Sequence, residues 1–292
     1  MKVSQIAINS ASTIQNDLEG ALAAYAAAGF RNVELNSELF RLVKERARKD
    51  GGSDDVRRFL AEHDLQVIGG AEEPVECFVS PEARRANLEL QVEQATLICE
   101  LGGGTLVVGT DGPSEPSLEA LDNVAGALRE LAERIEGLGV NVALEFNWSP
   151  LIRSLQSAVL VAEKVRHQQV GVLFDPAHYY TTPTKLEHLT ADAVGWIKHV
   201  HLNDMSDKPG DLAHRDFDRV LPGQGVLDLE TIIATIERHG YERFFSIELF
   251  SEELWRLPAE EAARLCYESL LPLCVDGGTG SAKVGEERAK EL

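Results

Sequence analysis

The sequence predicts an α/β fold in which eight parallel strands close into a (β/α)8 TIM barrel. Three observations predict it. Short apolar, β-branched runs alternate eight times with longer amphipathic stretches. Those runs show no polar alternation, as expected of a parallel sheet covered by helices. The length, 292 residues, fits one barrel of about 250 residues with room for a tail. The domain reading is a single barrel over 1–275. The polar stretch 276–292, DGGTGSAKVGEERAKEL, lacks an apolar stripe and is expected to be a flexible tail.

Taken in order, strands are expected at VSQIAI (3–8), NVEL (32–35), LQVIGG (65–70), TLVVGT (105–110), VNVALEF (140–146), VGVLF (170–174), WIKHVHL (196–202) and FFSIEL (244–249). Eight helices are expected between and after them, near 15–28, 54–63, 82–101, 117–138, 152–166, 184–194, 228–239 and 258–274. Each parallel pair needs such a crossover. Gly29 stops the first helix, Gly137 and Gly139 the fourth, and Gly240 the seventh. These glycines, with 102–104, belong to helix-to-strand turns. A phosphate-binding glycine loop would instead lie between a strand and the following helix. An open doubly wound sheet would want that fingerprint after the first strand, where SASTIQNDLEG has none. The longest break, 203–227, follows the seventh strand and is expected on the catalytic face, because long loops inside compact domains are usually functional.

Composition excludes several partners. The balance of 28 basic against 48 acidic residues gives −20. Nucleic acid and anionic membrane both demand clustered Lys and Arg, so neither is expected. No apolar run approaches the ~20 residues of a membrane helix, and MKVSQIAINS lacks the features of a signal peptide. Cys77, Cys99, Cys266 and Cys274 form no CxxC pair and read as free buried thiols in a cytoplasmic protein. Nothing in the pattern marks an interface, which leaves a homo-oligomer open.

The chemistry lies at the ends of the last four barrel strands. VALEF carries Glu145, VLFD ends at Asp175, KHVHL carries His201 and SIEL carries Glu248. A barrel gathers its C-terminal strand ends on one face, where active sites lie. An ionised carboxylate in an apolar strand costs several kcal/mol unless it is paired or binds a metal. The strands themselves offer only Lys198 and Arg243 as nearby cations, so one divalent ion is the simpler compensation. Three carboxylates and an imidazole suit Mn²⁺ or Mg²⁺ first, then Co²⁺ or Zn²⁺. Singly, each residue has a plain alternative: Asp175 before Pro176 also reads as a helix cap, and His201 as a hydrogen-bonded core residue.

His178, three residues beyond Asp175, is a candidate proton donor over the site. Arg219, in DRVLPGQG, is a candidate for stabilising a developing oxyanion, with a surface ion pair as the equal alternative. His199 shares a strand face with His201 and is expected deeper in the barrel. Trp148 and Trp255 are candidate apolar walls. His63, His167, His188, His214 and His239 carry no constellation.

The set VALEF, LFDPAH, HVHLND, DRVLPGQGVLDL and SIELF resembles the xylose-isomerase-like TIM barrels, the sugar phosphate isomerase/epimerase family, and within it the inosose isomerases. The resemblance runs over about residues 1–274 and is densest from 140 onward. It implies a divalent metal on Glu145, Asp175, His201 and Glu248, the set the strands already supply. It further implies His178 and Arg219 as site residues, and a small polyhydroxy ketone, an inosose or a ketose, as substrate. The implied chemistry is a proton shift next to a carbonyl through an enediolate, with Glu145 and Glu248 as the proton-transferring carboxylates and no organic cofactor. Ketose 3-epimerases and inosose or dehydroshikimate dehydratases share the scaffold and stand as alternatives. DPAHYY and EFNWSP depart from the inosose isomerase pattern and border the substrate pocket. A related apurinic endonuclease would need several zinc ions and a basic face, which the charge of −20 contradicts.

Overall fold

The computed structural model describes residues 1–13, 17–49, 52–71, 73–113 and 115–276. Eight of its strands close into the expected barrel: β1 (Ile6–Asn9), β2 (Asn32–Leu35), β3 (Gln66–Gly70), β4 (Thr105–Val108), β5 (Asn141–Glu145), β6 (Val170–Phe174), β7 (Ile197–Leu202) and β10 (Phe245–Ile247). All pair in parallel, and β10 closes the ring between β7 and β1. The remaining strands, β8 (Asp204–Met205) and β9 (Arg219–Val220), form a small antiparallel ladder in the long loop after β7.

Strand alternation explains the two layers of the core. Val142, Leu144, Val172, Phe174, Val200 and Leu202 face the helices and belong to the main apolar cluster. Residues one step along face the barrel interior instead. There Val107, Ala143 and Leu173 make a separate apolar plug. Continuing up the same faces gives Glu145, Asp175, His199 and His201. The ladder brings these residues level: Glu145 pairs with Leu173, Leu173 with His199, and His201 with Ser246. The metal-competent side chains therefore share the interior face above the plug.

The expected eight helices require correction. Two helices fill the crossover between β2 and β3: α2 (Ser37–Ala47) and α3 (Gly52–Glu62). The first was missing from the sequence reading because its surface is crowded with Glu, Arg and Lys. Leu39, Phe40 and Val43 nevertheless give it a buried stripe, and Asn36 caps its start. The stretch 184–194 is also not one helix. Pro183 follows a short helix at Pro176–Thr181, and the chain then makes a 3₁₀ turn at Leu186–His188 and another short helix at Ala191–Gly195. Gly29 ends the first helix (Leu18–Ala28) at φ +112, a backbone region that favours glycine. The expected tail falls outside the described residues except for Asp276, whose carboxylate accepts from the Val3 amide. All four cysteines are unpaired, and Cys77 and Cys99 are half-buried rather than buried.

Candidate metal centre

One donor atom from each of Glu145, Asp175, His201 and Glu248 lies within 4.8 Å of every other. Asp175, His201 and Glu248 are buried, and the Glu145 side chain is 19% exposed. His201 Nδ1 lies 3.3 Å from Glu248 Oε2 and 3.8 Å from Asp175 Oδ2. It nevertheless makes no hydrogen bond, although it is fully buried. Three convergent carboxylates around an orphaned imidazole nitrogen are a donor set that fits a divalent cation.

Each of the four is oriented by at least one further side chain. Asn9 Nδ2 donates to Glu248 Oε1 (3.2 Å), and Asn147 Nδ2 to Glu145 Oε2 (3.1 Å). Asn203 Nδ2 reaches both oxygens of Asp175, at 3.1 and 3.0 Å. Glu34 accepts from His201 Nε2 at 3.1 Å and from His199 Nε2 at 3.0 Å. An ionised carboxylate can only accept, so both Nε2 atoms carry protons. The free lone pair of a neutral His201 is then on Nδ1, facing the cluster. Partners of this kind fix ligand geometry and strengthen metal binding.

Asp175 is the helix cap that the sequence allowed, and it also faces the cluster. Its Oδ1 accepts from the Ala177 and His178 amides, capping the Pro176–Thr181 helix, while its Oδ2 lies against Arg219 Nη2 at 3.2 Å. That helix carries His178 over the cluster, 3.5 Å from Glu145 Oε1. Arg219 is 3% exposed, which removes the surface ion-pair reading. Its Nη1 donates to Asp216 (3.0 Å) and lies 3.5 Å from Glu248, and its guanidinium sits 5.2 Å from the Phe250 ring centre. Arg219 is thus the cation that answers the buried carboxylates. Neither Lys198 nor Arg243 forms an ion pair with them.

Electrostatics follow from burial and crowding. Burial, then the carboxylates of Glu248 and Asp175, push the Glu145 carboxyl up to about 7. Burial also disfavours charge on Glu248, but His201 and Arg219 outweigh it and hold that carboxyl below its ordinary range. For Asp175, burial is likewise overcome, chiefly by Arg219 and then by His178 and His201. Burial lowers His178 to about 4, with Arg219 and His201 adding to it. His178 Nε2 lies 3.2 Å from Arg219 Nη2, which can only donate. In this geometry the Nε2 of His178 accepts from Arg219, while its Nδ1 is buried without a hydrogen-bond partner.

The cluster opens into a cavity of about 410 Å³. Glu145, Glu248, His178, Arg219 and Trp148 line it, whereas Asp175 and His201 lie behind its wall. Trp148 packs edge-on against His178, with ring centres 4.8 Å apart. Trp255 belongs elsewhere: its indole donates to Ala11 O, and it lines a separate cavity of about 200 Å³. Trp148 also borders a larger space of about 750 Å³, and none of the four cluster residues lines it.

The profile of the xylose isomerase-like TIM barrels matches residues 22–269. The chain belongs to that family. An inosose isomerase of Bacillus licheniformis is 32% identical over 176 residues, 59% of this chain and 63% of the relative. The matched stretch thus spans less than two thirds of that relative's length. A 3-dehydroshikimate dehydratase of Pseudomonas aeruginosa is 27% identical over 276 residues, 89% of this chain and 40% of the relative. Among solved structures, the IolI protein with a binding zinc atom superposes with TM-score 0.80 at 23% identity, covering 92% of this chain and 97% of that one. The barrel fold is thereby shared by this family member and its structural neighbour. No helix among the described residues is long and apolar enough to cross a membrane.

Sequence reasoning missed Glu34, Asn9, Asn147, Asn203 and Asp216. A signal existed for Glu34 alone: it is a carboxylate inside the apolar strand NVEL, the same anomaly that singled out Glu145 and Glu248. His199 matches its expectation of a place deeper in the barrel.

Proposed function

We propose that this chain is a divalent-metal-dependent isomerase of a small polyhydroxy ketone, of the inosose isomerase kind. The observation that carries the reading is the division of the cluster. Glu145 and Glu248 face the cavity, while Asp175 and His201 stand behind it. Asp175 and His201 then act as holders, and the two glutamates both hold the ion and meet substrate. A bound divalent cation supplies Lewis acidity at the ketone oxygen. Glu145 or Glu248 removes the proton from the neighbouring hydroxyl-bearing carbon. The proton returns to the former ketone carbon and the hydroxyl proton passes to the former ketone oxygen, so the carbonyl moves one position with no oxidant or reductant consumed. Arg219 and His178 border the oxygens on which charge develops, where a buried guanidinium is most effective. Trp148 walls the apolar side of the ring.

The inosose isomerase relative supports this reading, and so does the zinc in the structural neighbour. The dehydratase relative keeps loss of water as the alternative on the same centre, and a ketose 3-epimerase would return the proton to the opposite face of the carbon that lost it, leaving the ketone in place. The test incubates metal-loaded and chelator-stripped protein with inososes and ketoses in D₂O under NMR. Metal-dependent deuterium uptake beside the carbonyl, with migration of the ketone, is expected. Inversion or loss of water in its place would assign the alternatives. No exchange with any ketone would overturn the proposal.

A further inference from the structure

Arg219 is delivered to the site by a loop whose apolar anchors lie at its two ends: Met205 is buried, and Leu221 and Leu227 pack against the core. Between β7 and the helix at Leu229–Arg238, the only ladder is β8 with β9, two residue pairs: Asp204 with Val220 and Met205 with Arg219. Leu212 and Phe217 in this loop are exposed. Yet the Arg219 guanidinium must stay within hydrogen-bond range of Asp175 and Asp216.

Asp204 adds a polar clamp between those ends. The residue is 1% exposed, and its carboxylate accepts from four backbone amides. Oδ1 takes Met205 N at 2.8 Å and Leu227 N at 2.9 Å. Oδ2 takes Gly223 N at 3.1 Å and Gly225 N at 3.0 Å. Convergent amides of this kind stabilise a buried anion without a cation. They also staple both ends of the loop: Asp204 leaves the barrel strand, and 223–227 is the return. Gly225 is part of the device. A Cβ there would lie 2.2 Å from Met205 O and 2.3 Å from Asp204 Oδ1. Gly223 adopts φ +84, which the PGQG turn requires.

We propose that Asp204 is the positioning residue for Arg219, its carboxylate folding the 222–227 turn back on β8 so that the guanidinium is aimed at the metal cluster. The catalytic consequence rests on the proposed function, but the positioning itself is read without any assay of turnover. Asn at 204 keeps the shape and offers one oxygen, yet turns an NH₂ toward two amide donors.

The test is hydrogen exchange by mass spectrometry on the full-length protein, wild type against Asp204→Asn. Amides of 219–227 should exchange at least about tenfold faster in the variant, while peptides from β5 and β6 keep their protection. Gly225→Ala should give the same local signature without altering the carboxylate, and serves if Asp204→Asn folds poorly. Unchanged exchange at 219–227 in either folded variant, or equal loosening of the whole barrel, would overturn the anchor. Where turnover is measurable, a double-mutant cycle completes the test. Asp204→Asn should lower kcat about 10–100-fold in the native background and under about threefold when Arg219→Ala is already present. An equal loss in both backgrounds would sever Asp204 from Arg219. If the exchange result holds while Arg219→Ala leaves turnover intact, the anchor stands and the assigned role of Arg219 falls.

Discussion

At saturating metal, Glu145→Gln and Glu248→Gln should each lose about 10²–10⁴-fold of the substrate proton exchange, the usual worth of a positioned acid or base. The amide keeps size and a ligating oxygen but cannot accept the proton. Asp175→Asn should behave differently. Its carboxylate lies behind the cavity wall, so the loss should fall on metal affinity, by on the order of 100-fold, and excess metal should restore much of the rate. Exchange rates measured against metal concentration separate the two patterns. Glutamine variants that regain full exchange with added metal would remove Glu145 and Glu248 from proton transfer.

Glu34→Gln should weaken metal binding about 10–100-fold without touching a ligand. The ionised Glu34 accepts from two imidazoles at once. Burial opposes its charge, but His199 and His201 overcome this and hold the carboxyl well below its ordinary range. An amide can accept from only one of the two and presents a donor to the other. One histidine must then shift its ring proton or turn, and His201 loses the constraint that leaves Nδ1 free. Glu34→Ala should cost more stability, because two buried imidazole N–H groups lose their acceptor at roughly 1–3 kcal/mol each. Calorimetric metal titration, paired with ¹⁵N shifts of the His201 ring in the protein loaded with diamagnetic Mg²⁺ or Zn²⁺, reads affinity and tautomer separately. Native affinity and an unchanged Nε2–H tautomer in Glu34→Gln would count against the account.

The barrel was legible because parallel strands are buried on both faces and so read as apolar runs. The convergence of the cluster side chains was legible because Glu145, Asp175 and Glu248 are charges where apolar residues belong. Glu34 obeys the same rule, but on the second strand it lies outside the run of four consecutive strands that carried the reading. Asn9, Asn147 and Asn203 leave no such mark: neutral amides at strand ends are ordinary loop residues until their partners are seen. Arg219 was ambiguous because its burial depends on a loop fold, and that fold depends on Asp204 meeting amides about twenty residues away. The helix Ser37–Ala47 was hidden by the charge on its outer face, since three buried apolar positions in eleven residues are a thin signal.

The central claim is that one divalent ion is held jointly by Glu145, Asp175, His201 and Glu248. Titration of chelator-stripped protein with Mn²⁺, followed by the electron paramagnetic resonance of the free ion, tests it most directly. The account predicts one tight ion per chain in the native protein, and affinity reduced by at least about 100-fold in a folded His201→Ala variant. No tight binding, or tight binding that survives His201→Ala, would contradict it.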